Sequence, residues 1–407
     1  MKSLLTSPEA CDLPPTSAEN FAANVTPLTT VNLRATTTTP QPLAPARWDW
    51  QKVNRVLIVR LRSIGDTVLA TPSLRALRRF LPDARIDILL EDWVAPVLDG
   101  STDIDSVIIV DGKSTAARAR VVRELRAARY DVAFNLHGGT TATFLTRASG
   151  AKQRVGYAAY RYGRLHNHTA PPAHEIWNRK ETHSVENQLA LLGWTGVPVT
   201  DLPPTRLFVT ANAAASVAEK LRAAQIDKEQ NEEERGQNAF EEKSFALIHP
   251  AAAFASKQWA IENFARVAET IHARGLECVA IAAPNEGEII SALKDNSRAP
   301  IISLNDLSLP EVTALAARAR LFVGNDSGIA HIAAAVSTPS VVIFGSSSIA
   351  RWHPWTTAPY EIVREEMPCA PCPGYTCGQF DAPECIRRVP VSRVMAAIEI
   401  ILNCVER

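Results

Sequence analysis

The stretch Leu321-Phe322-Val323-Gly324-Asn325-Asp326-Ser327-Gly328-Ile329-Ala330-His331 constrains this chain most. A short apolar run bounded by turn residues reads as a central parallel strand. Gly324-Asn325-Asp326 is turn chemistry. Asp326 or Ser327 then caps a helix whose first turn holds Gly328. The start of such a helix presents unpaired backbone N–H groups and a partial positive charge, which suit an anion. Gly328 has no side chain to keep a phosphate away from the backbone. His331, one turn further, can face the same point. The same residues also fit an ordinary strand-turn-helix with a capping Ser and a solvated His, so the surrounding sequence must decide.

That surrounding sequence alternates strands and helices twice over. After Arg55–Arg60, a buried strand, comes the loop Leu61-Arg62-Ser63-Ile64-Gly65-Asp66. A helix follows with Ala70, Leu74, Leu77 and Leu81 on one face and Pro72 in its early turns. Further strands are expected at 85–90, 106–110 and 131–136. Asp66 then stands at the carboxyl end of the first strand, where ligands of doubly wound sheets bind, unless it only caps the helix. His137-Gly138-Gly139-Thr140 is a second loop on that edge. The run from Tyr157 to His183 is rich in aromatic, basic and His residues, including Tyr160, Arg161, Arg164, His174, Trp177 and Lys180. It suits a loop that contacts an anionic or sugar-bearing acceptor. Its scattered His residues lack metal-ligand spacing.

Three prolines between Val197 and Pro204 mark a linker, followed by a helix over 211–224. A second unit opens with the strand 245–250 and the loop containing Ser256-Lys257-Gln258-Trp259. It continues with a helix at 261–273, strands at 277–282, 300–303, 321–323 and 340–344, and helices between them. Lys257 is placed like a phosphate-binding cation, although a solvated surface Lys would look the same. The pattern is α/β throughout: two doubly wound parallel sheets. The expected division is a disordered Thr/Pro-rich tail at 1–46, one domain at 47–204, a second at 205–390, and a last helix at 391–407 packing back toward the first domain. A Glu-, Gln- and Asn-rich segment near 227–243 reads as a solvated acidic insertion.

A chain of 407 residues accommodates two such domains, and 43 basic residues balance 43 acidic ones. A net charge of zero argues against nucleic acid as a partner. No apolar run reaches the roughly 18 residues of a membrane span, and the N-terminus is a poor signal peptide. A cytoplasmic protein is therefore expected, with peripheral contact at the inner face of the cytoplasmic membrane left open. Seven cysteines, an odd number, do not form a secreted disulfide framework. Four of them, Cys369, Cys372, Cys377 and Cys385, cluster late and could bind a structural metal, form a disulfide, or remain reduced.

Taken together, Ser63-Ile64-Gly65-Asp66, Ser256-Lys257-Gln258-Trp259, Gly324-Asn325-Asp326-Ser327-Gly328 and His331 resemble the heptosyltransferase family of glycosyltransferases, family 9. The resemblance extends over roughly residues 53–404. It implies a GT-B fold, two Rossmann-like domains facing each other across a cleft. It implies inverting, metal-independent transfer of a heptose from an ADP-sugar to a lipopolysaccharide core or other lipid-linked glycan, with no cofactor required. By the same resemblance Asp66 is the general base. Ser256, Lys257, Asp326, Ser327, Gly328 and His331 hold the donor phosphates. Glu286 holds the nucleoside, with Glu288 competing for that role. Arg60, Arg62, Gly65 and His137 are acceptor-side candidates. The chemistry agrees: a carboxylate can take the acceptor's proton, and a cation can stabilise the departing diphosphate. A transferase with another donor sugar, or a non-catalytic sugar-nucleotide-binding protein on the same fold, would use much of the same frame; the latter has no need of a base.

Overall fold

The computed structural model describes residues 39–110, 115–229, 244–372 and 376–405. Among the described residues, twelve strands form two six-stranded sheets, each entirely parallel in its pairings. In chain order the first sheet uses β1 (Arg55–Val59), β2 (Arg85–Glu91), β3 (Ser106–Val110), β4 (Val132–Asn135), β5 (Gln153–Tyr157) and β6 (His168–Ala170). The second uses β7 (Phe245–His249), β8 (Glu277–Ile281), β9 (Ile301–Leu304), β10 (Leu321–Asn325), β11 (Ser340–Phe344) and β12 (Tyr360–Arg364).

The spatial orders are β3-β2-β1-β4-β5-β6 and β9-β8-β7-β10-β11-β12. Counted within each half, both are the order 3-2-1-4-5-6 of the doubly wound dinucleotide-binding fold. Each sheet therefore has one crevice at the carboxyl edge where the winding reverses, between β1 and β4 and between β7 and β10. The central strands β1, β4, β7, β10 and β11 are short buried, largely apolar runs because helices cover both faces.

In the first half those helices are α1 (Ile64–Val68), α2 (Thr71–Phe80), α3 (Thr115–Ala128), α4 (Thr140–Ala148), α5 (Ala173–Trp177) and α6 (Ser184–Gly193). Helix α7 (Ala211–Glu229) leads into the second half. There follow α8 (Ile261–Ala273), α9 (Gly287–Asn296), α10 (Leu309–Arg318), α11 (Gly328–Ala335), α12 (Ile349–Trp352), α13 (Glu384–Arg387) and α14 (Val391–Val405). One buried cluster runs through both halves, taking Leu69, Leu74 and Val94 from the first and Ile332, Ala335 and Phe344 from the second. Among the described residues no helix is long and apolar enough to cross a membrane.

Four expectations change. The single helix read after Asp66 is two helices. Pro72 has no N–H to give to Val68, and the Thr71 hydroxyl donates to the Val68 carbonyl instead, at 2.7 Å. The segment 157–183 is not one loop. It holds β6, three residues long at a sheet edge, and α5. An edge strand this short carries too little apolar pattern to be recognised.

Part of the expected tail is also ordered. The Leu43 and Ala44 N–H groups both donate to the Gly193 carbonyl, and Val199 N–H donates to Gln41 O at 2.9 Å. Pro40, Pro42 and Pro45 favour an extended chain, and Leu43 anchors it against Gly193. Finally, α14 packs on β11, β12 and α8 of the second sheet, burying Val394, Ala397, Ile398 and Ile401 there rather than against the first half. Residues 1–38 of the expected tail and 230–243 of the acidic insertion lie outside the described residues.

Candidate functional site

The two carboxyl-edge crevices face each other, and α1 packs against α11 across the boundary. On the first-half side, Asp66 sits in α1, directly after β1. Its carboxylate accepts from the Ser63 hydroxyl at 3.0 Å and forms an ion pair with Arg60. Arg60 was expected to reach an acceptor. It is instead buried, 6% exposed, and donates to the Leu136 carbonyl at 2.6 Å and to the Asp66 carbonyl at 3.3 Å. It spans the β1/β4 crevice and fixes the direction of the Asp66 carboxylate. Arg62 remains exposed, 3.8 Å from Glu91. His137 donates through Nδ1 to the Arg62 carbonyl at 3.1 Å. Burial, with the neighbouring Arg60 charge, lowers its pKa.

The second-half side is built from three neighbouring loops. Asn325, at the end of β10, donates to Pro250 O at 2.7 Å and accepts from Trp259 N–H at 3.1 Å. These bonds tie the β7 loop to the β10 turn. They bring Lys257 Nζ to 2.8 Å from Asp326 Oδ2. Gly345, after β11, comes so close that a Cβ there would lie 2.1 Å from the Ser256 carbonyl oxygen. Ser346 N–H donates to that carbonyl at 3.2 Å, and the Ser346 and Ser256 hydroxyls are 2.9 Å apart. Glu286 is half-buried in the turn after β8, its Oε2 accepting from Ala283 N–H at 2.9 Å. Glu288, two residues on, is exposed.

Gly328 and His331 do not stand in open space. The backbone of Gly328 is approached by α1: a Cβ on Gly328 would meet Ile64 Cβ at 3.0 Å and Gly65 N at 3.2 Å. A Cβ on Gly65 would in turn meet the His331 ring at 2.8 Å. His331 is 5% exposed, with its Nδ1 unpaired. It feels the charges of Asp326, Asp66 and Lys257 together, while burial holds its pKa down. Helix α1, which carries Asp66, thus packs on helix α11, which carries His331 and follows the Lys257–Asp326 turn.

A cleft of about 680 Å³ opens beside this junction. Ser256, Lys257, Ser346, Ser347, Ser348 and Arg351 form one wall; His174, Lys180, Glu181 and Thr182 of the first half form the other. The cleft thus joins two of the anticipated donor residues, Ser256 and Lys257, to a serine loop that sequence reading overlooked. The available signal was Gly345-Ser-Ser-Ser directly after a strand, on the carboxyl edge of the sheet. His174 and Lys180, read as part of an acceptor-contacting loop, face this cleft. Asp66, Ser327, Gly328 and His331 lie outside its lining. Such a volume suits a nucleotide-sized ligand.

Cys369, Cys372, Cys377 and Cys385 line a cavity of about 10 Å³ next to Ser256 and Ser346. All four are free thiols in this structure. Among the described residues no three His, Cys, Asp or Glu side chains are arranged to hold a metal. Cys372 N–H donates to Ser346 O at 2.9 Å, so this loop braces the serine wall.

Beneath the β10 turn, His249 Nδ1 lies 3.4 Å from the Ser327 hydroxyl. Complete burial pushes its pKa from 6.5 down to about 4. A neutral buried His stabilises the fold above pH 6.5. That contribution is lost as pH falls toward 4, because the unfolded chain binds the proton first. The loss at pH 5 is about 2 kcal/mol. Urea unfolding at pH 7.5 and pH 5 should therefore show the parent losing about 2 kcal/mol more than His249→Gln. Equal losses would show that His249 is not the titrating group.

The family model for glycosyltransferase family 9 (heptosyltransferase) matches residues 118–380. Lipopolysaccharide heptosyltransferase 3 of Escherichia coli is 27% identical over 314 residues, covering 73% of this chain and 85% of that protein. Among solved structures, the family 9 glycosyl transferase of Veillonella parvula superposes with a TM-score of 0.72 at 20% identity. That match covers 86% of this chain and 97% of the other. The ADP-heptose lipopolysaccharide heptosyltransferase II of E. coli superposes with a TM-score of 0.69 at 21% identity, covering 87% and 100%. These structures share the arrangement of two facing Rossmann-like halves, the GT-B fold.

Proposed function

Since the chain belongs to glycosyltransferase family 9, the heptosyltransferases, we propose that it transfers a heptose from an ADP-sugar to a lipopolysaccharide-core glycan, inverting the anomeric centre without a metal. The half over 47–204 takes the acceptor and the half over 205–390 the nucleotide sugar. The observation that carries this reading is the packing of α1, which carries Asp66, against α11, directly after the Lys257–Asp326 turn. A displacement reaction needs a base on the acceptor side and positive charge on the leaving-group side, held in fixed register.

In the proposed reaction an acceptor hydroxyl attacks the anomeric carbon from the face opposite the diphosphate. Its proton passes to the Asp66 carboxylate, which Arg60 and Ser63 keep oriented. The bond from the anomeric carbon to the diphosphate oxygen breaks, and ADP leaves with the electron pair. Lys257 and the hydroxyls of Ser256 and Ser346 to Ser348 face the charge that grows on that oxygen. Glu286, in the turn after β8, would hold the nucleoside. The cationic role falls to side chains, so activity should survive a chelator.

The test is calorimetry with a panel of ADP-, UDP- and GDP-sugars, followed by turnover of the best binder with and without EDTA. ADP-heptose should bind most tightly and turn over in both. Binding of a UDP- or GDP-sugar in its place would overturn the donor assignment, and activity lost to EDTA would overturn metal independence.

A further inference from the structure

We infer that Lys180 and Arg351, on opposite walls of the cleft, close as a two-sided clamp on the donor's diphosphate. The inference rests on the donor reading of this cleft and names two binding residues that the family motifs do not include. Lys257 alone is a poor match for a diphosphate, because its charge is already met by Asp326 at 2.8 Å. The other permanent cations lining the cleft are Lys180 and Arg351. Both are exposed, and among the described residues neither has a carboxylate at ion-pair distance. Glu181 is the single carboxylate in the lining. With Lys257 offset by Asp326, the two free cations leave the cleft positive, as a nucleoside diphosphate requires.

Both cations are mounted on fixed supports. On the first-half wall, Trp177 Nε1 donates to Glu186 O at 2.8 Å, and Arg179 is ion-paired with Glu186. On the far side of Lys180, the Thr182 hydroxyl donates to Asn187 Oδ1 at 3.1 Å. His183 accepts from Val185 N–H through Nδ1 and donates from Nε2 to His353 O at 3.0 Å, tying this segment to the second half. On the other wall, the 345–348 loop is pinned to Ser256, and Arg351 follows one turn later. Lys180 shares its cavity with the serine wall and Lys257, whereas Asp66 lies outside that lining. This places Lys180 on the leaving group rather than on the acceptor.

The experiment is calorimetry of ADP, AMP and adenosine with the parent, Lys180→Ala, Arg351→Ala and Lys180→Arg, with melting temperatures alongside. Each alanine variant should weaken ADP about 10-fold or more, the effect of losing one charge-assisted hydrogen bond. AMP should weaken less and adenosine not at all, while Lys180→Arg recovers most of the ADP affinity. Melting temperatures should stay at the parental value because both side chains are exposed. Unchanged ADP affinity in both alanine variants overturns the clamp. So does unchanged ADP affinity in Lys180→Ala with a raised KM for acceptor, which would move Lys180 to the other substrate. If the parent prefers another nucleoside diphosphate, the ADP assignment fails and the clamp is read with that nucleotide. If the parent binds none, both fall.

Discussion

Asp66→Asn should bind donor with near-parental affinity and lose ~10²–10⁴-fold in turnover, the usual loss on removing a positioned base. The carboxylate is the one group in the β1 loop able to take a proton from an acceptor while the donor's charge is handled by the other half. Asn keeps the shape, and its carbonyl can still accept from the Ser63 hydroxyl now 3.0 Å away. It removes the negative charge opposite Arg60, which is buried. A fall in melting temperature is therefore expected as well, since a buried charge is left without its partner. Turnover separates the two effects. A purely structural Asp66 predicts a lower melting temperature with near-parental turnover at 25 °C, and that result would sink the base assignment. Ser63→Ala supplies the control: it removes one hydrogen bond to the carboxylate but not the carboxylate, and should cost less than ~10-fold.

The parts of the fold legible in the sequence are those fixed by local pattern. The strands Leu321–Asn325 and Ser340–Phe344 are built on apolar runs between turn residues, and both form where read. The helix Ile261–Ala273 likewise shows one clean buried face. β5 begins with Gln153 and Arg154 and β6 is three residues long, so neither carries enough apolar pattern to be told from loop. At the candidate site, chemistry-bearing motifs were readable, but tertiary placement was not. Nothing local says that Arg60 turns inward to Asp66, that Lys257 meets Asp326 from 69 residues away, or that Lys180 enters the cleft from the far half. The same holds for Gly328. A glycine at a helix start announces a close approach without saying what approaches, and here it is α1.

That ambiguity gives the second large effect. Gly328→Val should open the junction between the halves and lower turnover by ~10²-fold, the scale on which a misplacement of about 1 Å between reacting groups is felt. A Cβ at Gly328 would stand 3.0 Å from Ile64 Cβ and 3.2 Å from the Gly65 nitrogen, which is backbone and cannot rotate away. Valine adds two further methyl groups at that point. The pair of helices must separate, carrying Asp66 on α1 away from the turn that follows β10. ADP affinity should change little, because Ser256, Lys257 and the 346–348 loop line a cleft to which Gly328, Ile64 and Gly65 do not contribute. Small-angle scattering should show a larger radius of gyration for the variant with ADP bound than for the parent with ADP bound. Gly65→Ala should move the same way, since its new Cβ would press on the His331 ring at 2.8 Å. Lost ADP binding at an unchanged radius would make Gly328 the seat of a phosphate instead. Parental turnover with a parental radius would mean that the two glycines are not what lets the halves close.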